Sequence, residues 1–231
     1  MIWDKLWYET GKIEKINKRP EYPLLVHTLK RGKINRILDV GCGSGSWLFH
    51  LQKTNYDAIG VDISKVALHK ASLYGIKNLM LADARFLPFR KEKFDLILCF
   101  GLVEHFRKKD RLLIYHCFYE VLSKRGRLIV DVPNLFSLRS LLILPILRLT
   151  RKTKYGYERG YSIKKLFSEF LDAGFIIVEY GTLDSGADIF YFNILPFGFY
   201  IVKLIKSYYA MIKKILPKVF GDLVYIIALK M

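Results

Sequence analysis

Three aspartates and a run of alternating glycines are the residues of this chain best suited to chemistry. Asp39 precedes Gly41, Cys42, Gly43, Ser44 and Gly45, Asp62 follows about twenty residues later, and Asp83 comes after a further apolar run. The glycines at 41, 43 and 45 permit backbone angles that a Cβ resists, and leave room for a ligand against the main chain. The helix expected from about Ser44 offers unpaired N–H groups and the positive end of its dipole to an anionic group. A site for phosphate alone gains nothing from a carboxylate two residues before its first glycine. Asp39 therefore argues for a ligand that also carries an amine or another cation.

The elements that must position these residues are legible as a rhythm. A helix is expected around Tyr22 to Arg31, a strand at Arg36 to Val40, and a helix reaching about Lys53. A strand at Ala58 to Asp62 leads to a helix that Ser64 caps and that runs to Leu73. Strands follow at Asn78 to Ala82, Phe94 to Cys99 and Gly126 to Val132, with a helix over Arg111 to Leu122 between the last two. Phe175 to Thr182 and Leu223 to Leu229 complete a set of seven strands. The order predicts an α/β fold, a doubly wound, mostly parallel seven-stranded sheet with helices on both faces. In such sheets ligands sit at the carboxyl ends of the strands, where strand order reverses, and all three aspartates converge on that rim. Asp62 is then placed for ribose hydroxyls, and Asp83 for an exocyclic amine such as that of adenine.

Two cofactors combine adenosine with such a turn. A nicotinamide dinucleotide asks for a third glycine where Ser46 stands, and Asp39 would face its pyrophosphate. S-adenosylmethionine carries adenosine, an amino-acid end and a sulfonium without phosphate, and suits Asp39.

The series Asp39-Val40-Gly41-Cys42-Gly43-Ser44-Gly45, Gly60-Val61-Asp62-Ile63-Ser64 and Ala82-Asp83-Ala84-Arg85-Phe86-Leu87-Pro88-Phe89 resembles the three cofactor motifs of class I S-adenosylmethionine-dependent methyltransferases. Phe94-Asp95-Leu96-Ile97 with Leu102-Val103-Glu104-His105 is similar to that family's fourth-strand region, and Glu120 to Ile129 to its approach to strand five. The segment from Tyr161 to Phe175 is similar to its last helix and entry to strand six. The resemblance covers about Arg36 to Glu179. It implies that Gly41, Cys42, Gly43 and Gly45 cradle the methionine part of the cofactor, with Asp39 near its amino group. It further implies that Asp62 holds the ribose, that Ile63 lies on the adenine face, and that Asp83 with the Ala84 backbone reads the adenine edge. Phe100 would add its backbone beside the methionine. His105 is the candidate base for a hydroxyl acceptor, with anchoring of its loop as the structural alternative for Glu104-His105.

The chain is 231 residues long, carries a formal charge of +17 and is 52% hydrophobic, which suits one sizeable domain and argues against disorder. Cys42, Cys99 and Cys117 are too few for a disulfide framework and lack C-x-x-C spacing, so neither disulfides nor a metal site is expected, and the compartment reads as cytoplasmic. The charge suggests an anionic partner. Divided by pattern, residues 1–34 form an N-terminal helical segment, residues 35–184 the binding core with a cap insertion at 135–160, residues 185–221 an amphipathic insertion, and residues 222–231 the closing strand. Val202, Leu204, Ile205, Tyr208, Tyr209, Met211, Ile212, Ile215 and Leu216 fall on one helical side, and Lys203, Lys206, Lys213 and Lys214 on the other. This apolar and basic cap fits either an interfacial contact at the inner membrane face or an internal lid over a greasy acceptor pocket. The expected acceptor is small or lipid-like, methylated at oxygen. An RNA-directed enzyme and a non-catalytic cofactor-binding partner at a membrane are the alternatives, and the sequence leaves the oligomeric state open.

Overall fold

The computed structural model describes residues 2–10, 13–137, 139–143, 145, 157–184, 207–208, 211–212, 214–216 and 219–231. Seven strands, β1 (Arg36–Val40), β2 (Asp57–Asp62), β3 (Leu79–Leu81), β4 (Phe94–Phe100), β5 (Leu122–Pro133), β6 (Ile176–Leu183) and β7 (Leu223–Leu229), form one sheet in the order β3-β2-β1-β4-β5-β7-β6. β1 pairs in parallel with β2 and β4, β2 with β3, and β4 with β5, whereas β7 runs antiparallel to both β5 and β6. The direction of winding reverses between β1 and β4, so a crevice opens at their carboxyl ends.

Among the described residues, six α-helices accompany the sheet: α1 (Ile2–Glu9), α2 (Tyr22–Lys30), α3 (Ser46–Lys53), α4 (Lys65–Leu73), α5 (Lys108–Val121) and α6 (Ile163–Asp172). Both faces of the central strands are buried, so these strands read as nearly continuous apolar runs. Leu38, Val40, Ile97, Cys99, Leu128 and Val130 face α5 and α6 through Ile114, Tyr115, Phe118, Leu166 and Phe170. Ile37, Ala58, Leu96, Leu98 and Ile129 face the other layer through Leu25, Leu48, Leu51 and Ala71. Each fully buried Leu, Ile or Phe contributes about 1.5–3 kcal/mol over its exposed state.

Strand and helix bounds follow the sequence closely, with three shifts of two residues or more. α5 begins at Lys108, three residues before the expected Arg111. α3 begins at Ser46 because Gly45 takes a left-handed conformation (φ 83°, ψ 25°) at its N-cap. β5 begins at Leu122, four residues before the expected Gly126, because the Leu122 amide closes α5 on the Phe118 carbonyl while its own backbone is already extended. Ser64 caps α4 as expected, its Oγ accepting the Ala67 N–H at 3.2 Å. Most of the amphipathic insertion at 185–221, and much of the cap insertion at 135–160, lie outside the described residues. Among those described, no helix is long and apolar enough to cross a membrane.

One ion pair under the sheet bears on the site. Arg111 on α5, 1% exposed, donates through Nε to Glu169 Oε2 on α6 at 2.9 Å, and its second guanidinium arm reaches Glu169 Oε1. Its Nη1 donates to the Phe106 carbonyl at 2.6 Å, tying down the loop that follows His105. Removing one partner leaves the other charge buried and uncompensated. Glu169→Ala is therefore expected to cost about 3–5 kcal/mol in urea unfolding, and the double replacement Arg111→Met with Glu169→Leu far less. Equal losses for the two variants would show that the pair does not hold these helices.

Candidate active site

The crevice between β1 and β4 holds two cavities. The smaller, about 400 Å³, is lined by Val61, Asp62, Ile63, Asp83, Ala84 and Leu102 among others, and the larger, about 920 Å³, by Asp39, Cys42, Trp47, Phe100, Glu104 and His105 among others. The sequence-predicted residues thus divide between them in the order of a long ligand, the nucleoside end on one side and the amino-acid end on the other.

In the smaller cavity Asp62 closes β2. Its Oδ2 accepts the Gly43 N–H and its Oδ1 the Ser64 N–H, both at 2.8 Å. Burial raises its pKa, and these backbone donors oppose the rise. A carboxylate has about four lone-pair sites, so two remain for hydroxyl donors. Asp83 is differently engaged from the sequence expectation. Arg85 grips it from its own loop, Nε to Oδ1 at 3.0 Å and Nη2 to Oδ2 at 2.6 Å, and holds its pKa below the ordinary value. Ile63 and Ala84 lie on the cavity wall as expected.

In the larger cavity Asp39 is 2% exposed, its Oδ2 meets no hydrogen-bond partner, and burial pushes its pKa up to about 7. Trp47, near the start of α3, lines the same cavity, and its buried indole N–H is likewise without a partner. Asp39 and Trp47 thus line one chamber, and each holds a buried polar atom without a partner among the described residues, an acceptor on one and a donor on the other. Arg19 lines the chamber too, with its guanidinium carbon 5.7 Å from the centroid of the Trp47 ring and its Nη2 2.8 Å from Glu14 Oε2. Cys42 is buried there, and burial raises its thiol well above the usual range. Gly43 needs its positive φ of 55°, and the Trp7 ring packs where its Cβ would stand. Gly45 lines neither cavity. A Cβ there would strike Ile76, so its role is helix packing.

Glu104 and His105 sit on a 3₁₀ turn, Val103–His105, after β4. Both line the larger cavity. Glu104 is 4% exposed, its Oε2 lacks a partner, and burial pushes its pKa up to about 8. His105 Nδ1 lies 3.0 Å from the Tyr157 carbonyl, a contact that places the proton on Nδ1 and the lone pair on Nε2, which is 3.8 Å from Glu104 Oε1. Burial, the largest influence, lowers the pKa of the ring. Trp3 stands edge-on to it, ring centroids 4.8 Å apart. A bidentate pair, Arg139 with Glu158 (2.7 and 3.1 Å), completes the wall.

Several of these residues escape sequence reasoning. Arg19, Arg139 and Glu158 lie in segments without a motif. Trp3 and Trp7 left one usable signal, a spacing of four that puts both rings on one side of α1.

Residues 37–126 match a family profile described as a methyltransferase domain. An uncharacterized protein of Methanocaldococcus jannaschii is 34% identical over 118 residues, 51% of this chain and 49% of that protein. A ubiquinone biosynthesis O-methyltransferase of Chelativorans sp. is 33% identical over 104 residues, 43% and 40% of the two chains. The chain spans about half the length of the first curated relatives it matches. The fold is shared with a crystal structure of a SAM-dependent methyltransferase from Archaeoglobus fulgidus, with a TM-score of 0.64, 20% identity, and coverage of 91% of this chain and 92% of that one. The glycine turn, the acids on its rim and the reversed strand order agree with these matches: residues 37–126 are similar to a methyltransferase domain, and the fold is one shared with SAM-dependent methyltransferases.

Proposed function

We propose that this protein transfers a methyl group from S-adenosylmethionine to a hydroxyl on a small, largely apolar acceptor seated in the larger cavity. The observation that carries the reading is that Asp39 and Trp47, each with a buried polar atom that has no partner among the described residues, line one chamber, beside a second chamber with Asp62 on its wall. Asp39 would take the ammonium of the cofactor, and Trp47 Nε1 with Arg19 its carboxylate. Asp62 would hold the ribose hydroxyls, Ile63 and Leu102 would flank the adenine, and Asp83 with the Ala84 backbone would border its edge. Gly41, Gly43 and the Phe100 backbone would let the methionine chain lie close. When bound, S-adenosylmethionine supplies a methyl group on a sulfonium, ready for direct displacement. The protein's part is alignment and exclusion of water. His105 Nε2 would receive the acceptor's proton, and the Tyr157 carbonyl fixes the tautomer that lets it. Trp3, Leu6, Ile13 and Leu223 supply apolar wall for the acceptor's body.

Peripheral contact with an anionic membrane surface belongs to the same proposal. It rests on the charge of +17 and on the lysine-faced pattern at 202–216.

Asp62→Ala is expected to weaken S-adenosylmethionine binding by roughly 1.5–3 kcal/mol in calorimetry, the range for hydrogen bonds to a charged group; an unchanged affinity would remove its assignment. In a labelled-methyl transfer screen, label should enter organic-soluble acceptors rather than RNA. With such an acceptor, the pH profile tests His105. Burial favours the neutral ring, so the base is competent above its ordinary pKa of 6.5 and is lost only as pH falls below that value. The groups facing it are Glu104, Glu158, Arg139 and the Tyr157 carbonyl. The rate should be flat just above pH 6.5 and decline below it, and His105→Ala should lower it roughly 10²–10⁴-fold and abolish the acid limb. An acid limb that survives the substitution would assign the proton to another group. For the membrane contact, flotation with anionic liposomes should be salt-sensitive and lost on reversing Lys203, Lys206, Lys213 and Lys214; an unmutated protein that stays in the pellet would end that part of the reading.

A further inference from the structure

The chain has three tryptophans, and all of them line the larger cavity. Trp3 and Trp7, from α1, also line the smaller one. Among the described residues, the two linings otherwise share Gly41 and Gly101, so a partition stands between the chambers, formed by the two tryptophans and glycine backbone. Trp7 rests on Gly43 so closely that even one added carbon would collide with its ring. A cofactor with its nucleoside beside Asp62 and its amino-acid end beside Asp39 has to cross that line.

The helix that carries the partition is weakly rooted. α1 buries none of its eight residues. It is held to α4 by a polar latch at two points. Ser64 Oγ donates to Asp4 Oδ1 at 2.7 Å, and Lys70 Nζ donates to the Trp7 and Tyr8 carbonyls at 2.6 and 2.9 Å. Segments with few buried apolar contacts open locally at small free-energy cost. The latch also ends on the site itself, because the same Ser64 gives its N–H to Asp62. One turn earlier on the same side of the helix, Trp3 stands edge-on to His105.

We propose that α1 is the gate of the active site, with Trp7 and Trp3 as its positioning residues. Trp7 leaves Gly43 to admit the cofactor, and because Trp3 rides on the same helix, His105 is uncovered in the same movement. Cofactor entry and access to the acceptor-facing base are thereby one event. The inference rests on the reading of the two chambers as the cofactor site.

The test is stopped-flow binding of S-adenosylhomocysteine to the full chain, followed by the fluorescence of the three tryptophans. With a gate, the observed rate of the unmutated protein levels off as the concentration of S-adenosylhomocysteine rises, because opening becomes limiting. Lys70→Met, which cuts the latch away from both chambers, should raise that plateau at least five-fold, and Trp7→Ala should do the same. Neither change touches the core, since α1 buries none of its residues and Lys70 is only half-buried on α4. Detectable calorimetric binding by Trp7→Ala alone would show a gate that is shut in the unmutated protein. Binding by all three proteins with rates that rise linearly and with one slope would overturn the gate and leave the cofactor site standing. Binding by none of them would overturn the cofactor reading and the gate together.

Discussion

A carboxylate buried at the end of a parallel strand is costly, and the site is organised around returning that cost. Asp39 on β1, Glu104 after β4 and Asp131 on β5 all lie within the protein, and burial raises the pKa of each. They can stay there for different reasons. Asp131 accepts the Gly101 N–H at 2.8 Å and has the Glu21 carboxyl beside it. Asp39 and Glu104 each keep an oxygen without a partner. A protein tolerates such groups where something else completes them. For Asp39 the fitting completion is a ligand's ammonium, and the strand reversal between β1 and β4 is what puts the acid within reach of it.

The distribution of charge follows the same logic. The chain as a whole carries +17, yet five acids, Glu14, Asp39, Glu104, Glu158 and Asp222, line the larger cavity against Arg19 and Arg139. Arg19 is paired with Glu14 and Arg139 with Glu158, so among the described residues the lining holds more acids than bases even though Glu104 keeps its proton at neutral pH. A cationic donor therefore finds attraction inside the crevice and repulsion over most of the surface, which favours the cavity over any other resting place.

Much of this was legible in the sequence, for a physical reason. Buried strands such as Ile37-Leu38 and Leu96-Ile97-Leu98 are apolar on both faces, so they announce themselves without help from the rest of the chain. The rim aspartates are legible because each lies at or just past the carboxyl end of its strand, and a local pattern fixes both. What the sequence could not reveal is what arrives from a distance. The Tyr157 carbonyl reaches His105 from 52 residues away, and Lys70 reaches the Tyr8 carbonyl across 62. Asp83 shows the converse failure. Its place on the rim was readable, but its pairing with Arg85 two residues on depends on a side-chain orientation that no spacing records. Gly45 belongs to the cofactor motif by position and to the packing of Ile76 by contact.

The neutrality of the acceptor side follows from these same features. A methyl transfer that starts from a cationic donor and a neutral hydroxyl spreads positive charge away from the donor as it proceeds. Fixed negative charge close to the donor would favour the reactants over the transition state and slow the step. Glu104, with a pKa near 8, keeps its proton at neutral pH, and His105 is neutral there as well. The two side chains nearest the proposed acceptor can thus offer hydrogen bonds and a lone pair without a net charge. Asp39, at the amino-acid end, is the acid suited to ionise, because the ammonium it would meet repays its burial away from the reacting atoms. On the proposed reading the crevice would separate its two tasks by protonation, holding the donor with a carboxylate at one end and serving the acceptor with uncharged groups at the other.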